Sequence, residues 1–253
     1  MDSNVGRFDY PRAEKLATDA RRELGLGDRP GEQLAGVLGE VYAIKIFHID
    51  LADAGVAACA SSEEFGAAIL LNKNCKRWRR NFDLAHELFH LLTWERFGHN
   101  KGICTPTPQE EQLATCFAAN LLLPEETVKN ALAEAADETR KISYNQLDAI
   151  AREFDVSLES LFWRMHFLYR WPEETTHKHI DLAKQYIQTA SRIDDSEPPL
   201  FPERYRALAI QALQQGEISI GRFAKFMDIS RHEAQQFMTG EESLYAEIPS
   251  PVA

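Results

Sequence analysis

No stretch of this 253-residue chain stays apolar long enough to cross a bilayer, which takes about 20 consecutive apolar residues. Its start, MDSNVGRFDYPRAEKLA, is polar and runs into a helix instead of a signal-like segment, so the cytoplasm is the expected compartment. Cysteine is scarce and unpatterned. The four residues Cys59, Cys75, Cys104 and Cys116 include no CxxC pair, which predicts free thiols and no disulfide framework. Positive charge is in deficit, and a formal net charge of −11 excludes a surface given over wholly to nucleic acid, though not a local basic patch. P-loop, dinucleotide fingerprint and low-complexity tract are all missing. What remains is ordinary globular composition, in a chain long enough for one large or two small domains.

The most informative stretch is His86-Glu87-Leu88-Phe89-His90, an HExxH motif. Leu84, Leu88, Leu91 and Leu92 give its surroundings an apolar helical stripe, and Asn81 or Asp83 can cap the helix start. Two histidines four residues apart share one helical face, so their imidazoles can bind one zinc ion together. Glu87 projects beside that pair, where it can take a proton from water. A catalytic zinc needs a third protein ligand and an open position. Residues 109–124, QEEQLATCFAANLLLP, read as the next helix, with Ala114, Phe117, Ala118, Leu121 and Leu122 as its stripe and Pro124 as its stop. Glu111 lies on the striped side and is the first candidate ligand; Glu110 is the fallback. The plain alternative is that both glutamates only favour a helix N-terminus.

These residues resemble the ImmA/IrrE-type metallopeptidases, once called DUF955. The resemblance is carried by AAILLN (67–72), KRWRRNFDLAHELFH (76–90) and EQLATCFAANLLLP (111–124), and it covers residues from about 11 to 170. It implies zinc bound by His86, His90 and Glu111, with Glu87 as the general base. It also implies a narrow specificity: one helix-turn-helix repressor, cut after stress to derepress neighbouring genes. The chain departs from the family at Phe89, where Gly is frequent, and at Thr115, where Asn or Asp is frequent. Both departures leave the ligands intact and point to different packing behind the metal. Cys104 lies in the loop HNKGICTPTPQ between the second histidine and the glutamate helix. A thiolate there either serves as a plain loop residue or reaches the open zinc position as an inhibitory fourth ligand. The second arrangement resembles peptidases of the CapP type, linked to anti-phage systems and released by single-stranded DNA.

Around the motif the chain reads as an α+β fold, a small sheet flanked by helices and followed by a mainly helical C-terminal region. Helices are expected at 11–25 and 32–39, strands at 41–50 and 66–72, and a turn or short strand between them. Residues 67–72 are the candidate edge strand for holding an extended substrate across the zinc. Beyond Pro124, a helix is expected over 125–138. A helix-turn-helix-like unit follows at 145–168, either an ordinary hairpin on the core or a DNA reader. Trp171-Pro172 suggests a boundary, giving a peptidase domain at 1–170 and a helical sensor or partner-docking domain at 171–253. Within the latter, another helix is expected over 174–192. DDSEPPLFP (194–202) reads as a linker, and 203–238 repeats the helix-turn-helix look. Lys76, Arg77, Arg79 and Arg80 around Trp78 form either a solvated basic turn or a contact for acidic peptide or phosphate. His99 shares the Cys104 loop and is expected to be a plain histidine, as are His48, His166, His177, His179 and His232. Two further readings compete with an active peptidase. One is a non-catalytic zinc-fold regulator that binds a repressor or DNA, against which the intact Glu87 argues. The other is a peptidase-fold toxin of a toxin–antitoxin pair, which needs the same site.

Overall fold

The computed structural model describes residues 9–51, 57–99, 105–186 and 198–239. The chain divides into two compact units, Met1–Leu200 and Phe201–Ala253. The first is α+β. Helix α1 (Tyr10–Glu23) is capped by Asp9 and buries Ala13, Ala17 and Ala20, small residues that let it pack closely. The expected helix over 32–39 is instead a chain of short turns: Pro30–Glu32, the single turn α2 (Leu34–Gly36) and a wider turn at Val37–Val41. Gly36 and Gly39 weaken a regular helix there. Gly31 has a packing role, because a Cβ on it would lie 2.6 Å from the Phe154 carbonyl oxygen.

The sheet has three strands, β1 (Lys45–Ile49), β2 (Ala57–Ser62) and β3 (Gly66–Asn72), in the order β1-β3-β2. β1 runs parallel to β3 with Ile46 opposite Ile69, and β2 runs antiparallel to it with Cys59 opposite Ile69. Residues 41–44 stay outside β1, Ala43 having a left-handed φ of 56° that breaks extension. Residues 67–72 therefore form the central strand, not an edge. Their near-continuous apolar run AAILL is what a strand covered on both sides requires. The edge that lies against the motif helix is β2. At the other edge, the His48 amide donates to the Leu200 carbonyl at 3.1 Å.

The motif helix α3 (Arg77–Leu92) starts earlier than the expected cap at Asn81 or Asp83. Both residues lie inside it with other partners. Asn81 donates to Asp155 Oδ2 at 2.6 Å, and Asp83 accepts from Arg79. The basic run is largely spent on structure. Arg77 pairs with Asp155 at 2.8 Å, Arg79 with Asp83 at 2.9 Å, and Arg80 donates to the Lys73 and Cys75 carbonyls that close the turn after β3. Helices α4 (Pro108–Leu122), α5 (Glu125–Ala135), α6 (Tyr144–Glu153), α7 (Leu158–Tyr169) and α8 (Glu173–Tyr186) follow. α6 and α7 are the helix-turn-helix-like pair. Ser143 with Gln146 caps the first, Ser157 the second, and Asp155 takes a left-handed φ of 54° in the turn. Their apolar faces, with Leu147, Ile150, Phe154, Leu161 and Phe162, join the main core. The Arg164 Nε donates inward to the Leu123 carbonyl at 2.9 Å. α8 also packs on this core through Ile180 and Ala183, so the first compact unit runs past the boundary expected at Trp171-Pro172. Trp171 itself packs against the core, where a linker would leave it exposed.

The second unit contains α9 (Glu203–Gln214), α10 (Ile220–Phe226) and α11 (Arg231–Thr239). Ser219 caps α10, and a Ser230–Glu233 capping pair starts α11 after a left-handed Asp228. Its own core is small: Ala209, Leu213, Phe223, Ala224 and Ala234. Among the described residues no helix is long and apolar enough to cross a membrane.

Candidate metal centre

α3 and α4 pack closely against each other, which brings the HExxH face against the first turn of α4. That turn is fixed by Thr107, whose hydroxyl accepts from the Glu110 amide while the Glu110 side chain accepts from the Thr107 amide. Glu111, next in the chain, then points at both histidines. Its Oε2 lies 3.0 Å from His86 Nε2, and its Oε1 lies 3.4 Å from His90 Nε2. The imidazole centroids are 5.1 Å apart. All three ligand atoms lie within 4.8 Å of one another. Tetrahedral zinc with bonds of about 2.1 Å holds its ligand atoms roughly 3.4 Å apart, so two imidazole nitrogens and a carboxylate at these separations fit the ion. Burial holds both imidazoles below their ordinary pKa, against the pull of Glu111, which leaves them neutral as ligation requires.

Glu87 is 8% exposed and lines the same cleft, a space of about 610 Å³. Burial, with help from the Glu111 and Asp83 charges, pushes its carboxyl up to about 7. Opposing them is a hydrogen bond from the Cys59 thiol. Cys59 comes from β2, whose residues Ala57 and Ala58 line the same cleft. Its thiol is pushed far up by burial and by Glu87, so it is a neutral donor. Cys59, Cys75 and Cys116 are free thiols, as expected, and burial raises Cys116 to about 11. Cys104 lies outside the described residues.

Glu110, the fallback ligand, is turned away from His86. It is 2% exposed and contacts the far side of His90, where Nδ1 lies 3.3 Å from its Oε1. His99 meets the same oxygen and is also buried. Two residues carry more than sequence reasoning assigned them: His99, expected to be a plain histidine, and Cys59, expected only to be a free thiol. Glu110 had a signal, being three residues after Thr107 in a capping-box pattern. Thr115 is exposed at the cleft rim, and Phe89 is fully buried against Phe117 and Phe97.

Residues 40–166, just over half of the chain, match the Peptidase M78 family, described as the IrrE N-terminal-like domain. Among solved structures, a Mycobacterium tuberculosis transcriptional regulator is similar, with 19% identity and a TM-score of 0.44 over 61% of this chain. The similarity covers 46% of that regulator, so this chain spans less than half of its length. No curated protein sequence matches.

Proposed function

The chain belongs to the Peptidase M78 family of zinc metallopeptidases, and we propose that it is a zinc-dependent endopeptidase acting on one regulatory protein. The observation that carries the reading is the meeting of His86, His90 and Glu111 beside a buried Glu87, in a cleft flanked by a sheet edge. His86, His90 and Glu111 hold the metal. When bound, Zn²⁺ supplies Lewis acidity that polarises the scissile carbonyl and makes water nucleophilic near neutral pH. Glu87 accepts the proton from the attacking water and returns it to the leaving amine. In the metal-free chain burial raises the Glu87 carboxyl to about 7, a shift toward the proton-accepting strength that a general base needs. The Cys59 thiol holds Glu87 toward the cleft while remaining a donor. β2 presents the main chain along which an extended peptide can add as a further strand, the role expected at first of residues 67–72.

The substrate class proposed is a helix-turn-helix repressor, with Phe201–Ala253 as the candidate docking unit for it. The test is cleavage of candidate repressors by zinc-loaded wild type and by Glu87→Gln. Wild type is expected to cut one of them at one site, and the variant to bind zinc normally and leave it intact. A variant that still cuts, or a wild type that purifies without affinity for zinc, overturns the reading.

A further inference from the structure

We infer that Glu110 and His99 form a positioning pair that fixes the orientation of the His90 ring and thereby sets how tightly the site holds zinc. The inference rests on the zinc-site reading above but assigns a role to residues outside the ligand set. His90, His99 and Glu110 are 3%, 4% and 2% exposed. A carboxylate is seldom buried this fully unless donors meet it. Glu110 has three such donors, each from a different part of the chain. His90 Nδ1 on α3 lies 3.3 Å from Oε1. His99 Nε2, from the segment after α3, donates to the same oxygen. The Thr107 amide, at the start of α4, donates to Oε2 at 3.4 Å.

A helix-capping role explains only part of this. The capping box uses Oε2 alone and works at an exposed helix start, whereas Oε1 is aimed inward at two imidazoles. The consequence for His90 is chemical. An N–H at Nδ1, committed to Glu110, leaves the lone pair on Nε2, and Nε2 is the atom that faces Glu111 across the metal position. Turning the ring over would withdraw that lone pair from the cleft and strip the buried carboxylate of a donor. His99 is itself anchored: its amide donates to the Trp94 carbonyl at 3.0 Å, and its ring packs 5.2 Å from that of Trp94. The chain thus supplies His90 with a carboxylate partner, and the carboxylate with a second imidazole that keeps it in place.

The test measures zinc affinity of the full-length protein by competition with a chromophoric chelator, alongside the melting temperature of the metal-free form. Glu110→Gln and His99→Ala are expected to bind zinc about 10–100-fold more weakly than wild type. His99→Gln, whose amide N–H can still donate to Glu110, is expected to recover most of that loss. A merely structural role would lower the melting temperature and leave the zinc affinity of folded protein unchanged. If His99→Ala fails to fold, Glu110→Gln carries the test, since it conserves volume and the cap acceptor. Folded variants whose affinity stays within about threefold of wild type overturn the positioning role. So does a wild type that takes up a second zinc ion lost in both variants, because the buried trio would then be a metal site itself. A wild type that binds no zinc fails differently: the zinc-site reading falls, and the positioning pair with it.

Discussion

At the scale of single residues, Glu87 joins burial with the proton exchange that the proposed mechanism asks of it, two properties that usually conflict. Its replacement by Gln keeps the shape and removes the base. Zinc content should be unchanged while the cleavage rate falls by roughly 10²–10⁴-fold, the usual contribution of a positioned general base. A quieter signature lies in the metal-free protein. In the folded chain the Glu87 carboxyl sits at about 7 against 4.5 ordinarily, so between those values the folded state keeps a proton that the unfolded chain has released. Stability attributable to Glu87 is therefore lost as pH rises through that window. Metal-free Glu87→Gln, which does not titrate, should gain on wild type across it, by roughly 3 kcal/mol above pH 7. Chemical denaturation of both proteins at pH 4.5 and pH 8 measures the difference, and a gap independent of pH would remove Glu87 as its source. His86, Glu87 and His90 are legible from sequence because helical spacing alone puts them on neighbouring positions of one turn. Glu111 needs the further step that two helices pack, which its apolar stripe announces. Cys59 and His99 carry no such local sign. One reaches Glu87 through sheet pairing and the other reaches Glu110 through a loop, and neither route is periodic.

At the scale of elements, α3 carries two of the proposed metal ligands and also forms the centre of the core. Leu84, Leu88 and Phe89 on it are at most 2% exposed, and Phe89 lies 5.7 Å from the Phe117 ring of α4 and 5.7 Å from the His90 ring, centroid to centroid. The Phe89 ring is thus packed directly behind the proposed ligand His90. Phe89→Ala should cost about 3–5 kcal/mol in stability through the cavity it leaves. Thermal or urea unfolding checks this, and a loss under about 1 kcal/mol would mean that the helices close over the gap. Helices were the most legible elements, because their apolar period runs over several turns. Their ends were less so: α3 begins at Arg77 because long-range partners, chiefly Asp155, hold its basic first turn. Strand order was the hardest part. The apolar run 67–72 marks a buried strand in sequence, but whether it is central or at an edge depends on β1 pairing from one side and β2 from the other. A central strand has no free backbone for a substrate, which is why the proposed docking edge is β2.

At the scale of the whole molecule, the division after Leu200 separates two cores of very different size. Every residue assigned to the metal centre lies in the first unit, as do the sheet and the helices α1 to α8. The second unit buries only five hydrophobic side chains among its described residues, three of them alanines. So small a core gives marginal stability by itself. If Phe201–Ala253 docks the substrate, then a chain ending at Leu200 should separate chemistry from recognition. Its zinc affinity should stay within about threefold of the full chain, since no ligand or outer partner is removed. Its hydrolysis of an unstructured test peptide should also persist, because β2 and Glu87 remain. Cleavage of the folded repressor should fall by at least about tenfold, the loss expected when a tethered second contact no longer raises the local substrate concentration. Repressor cleavage that survives truncation would place recognition in the first unit, with the β2 edge and the cleft rim around Thr115 as its remaining surface. Loss of zinc on truncation would have the opposite meaning, that residues beyond 200 support α3 and α4, and the separation into independent units would not hold.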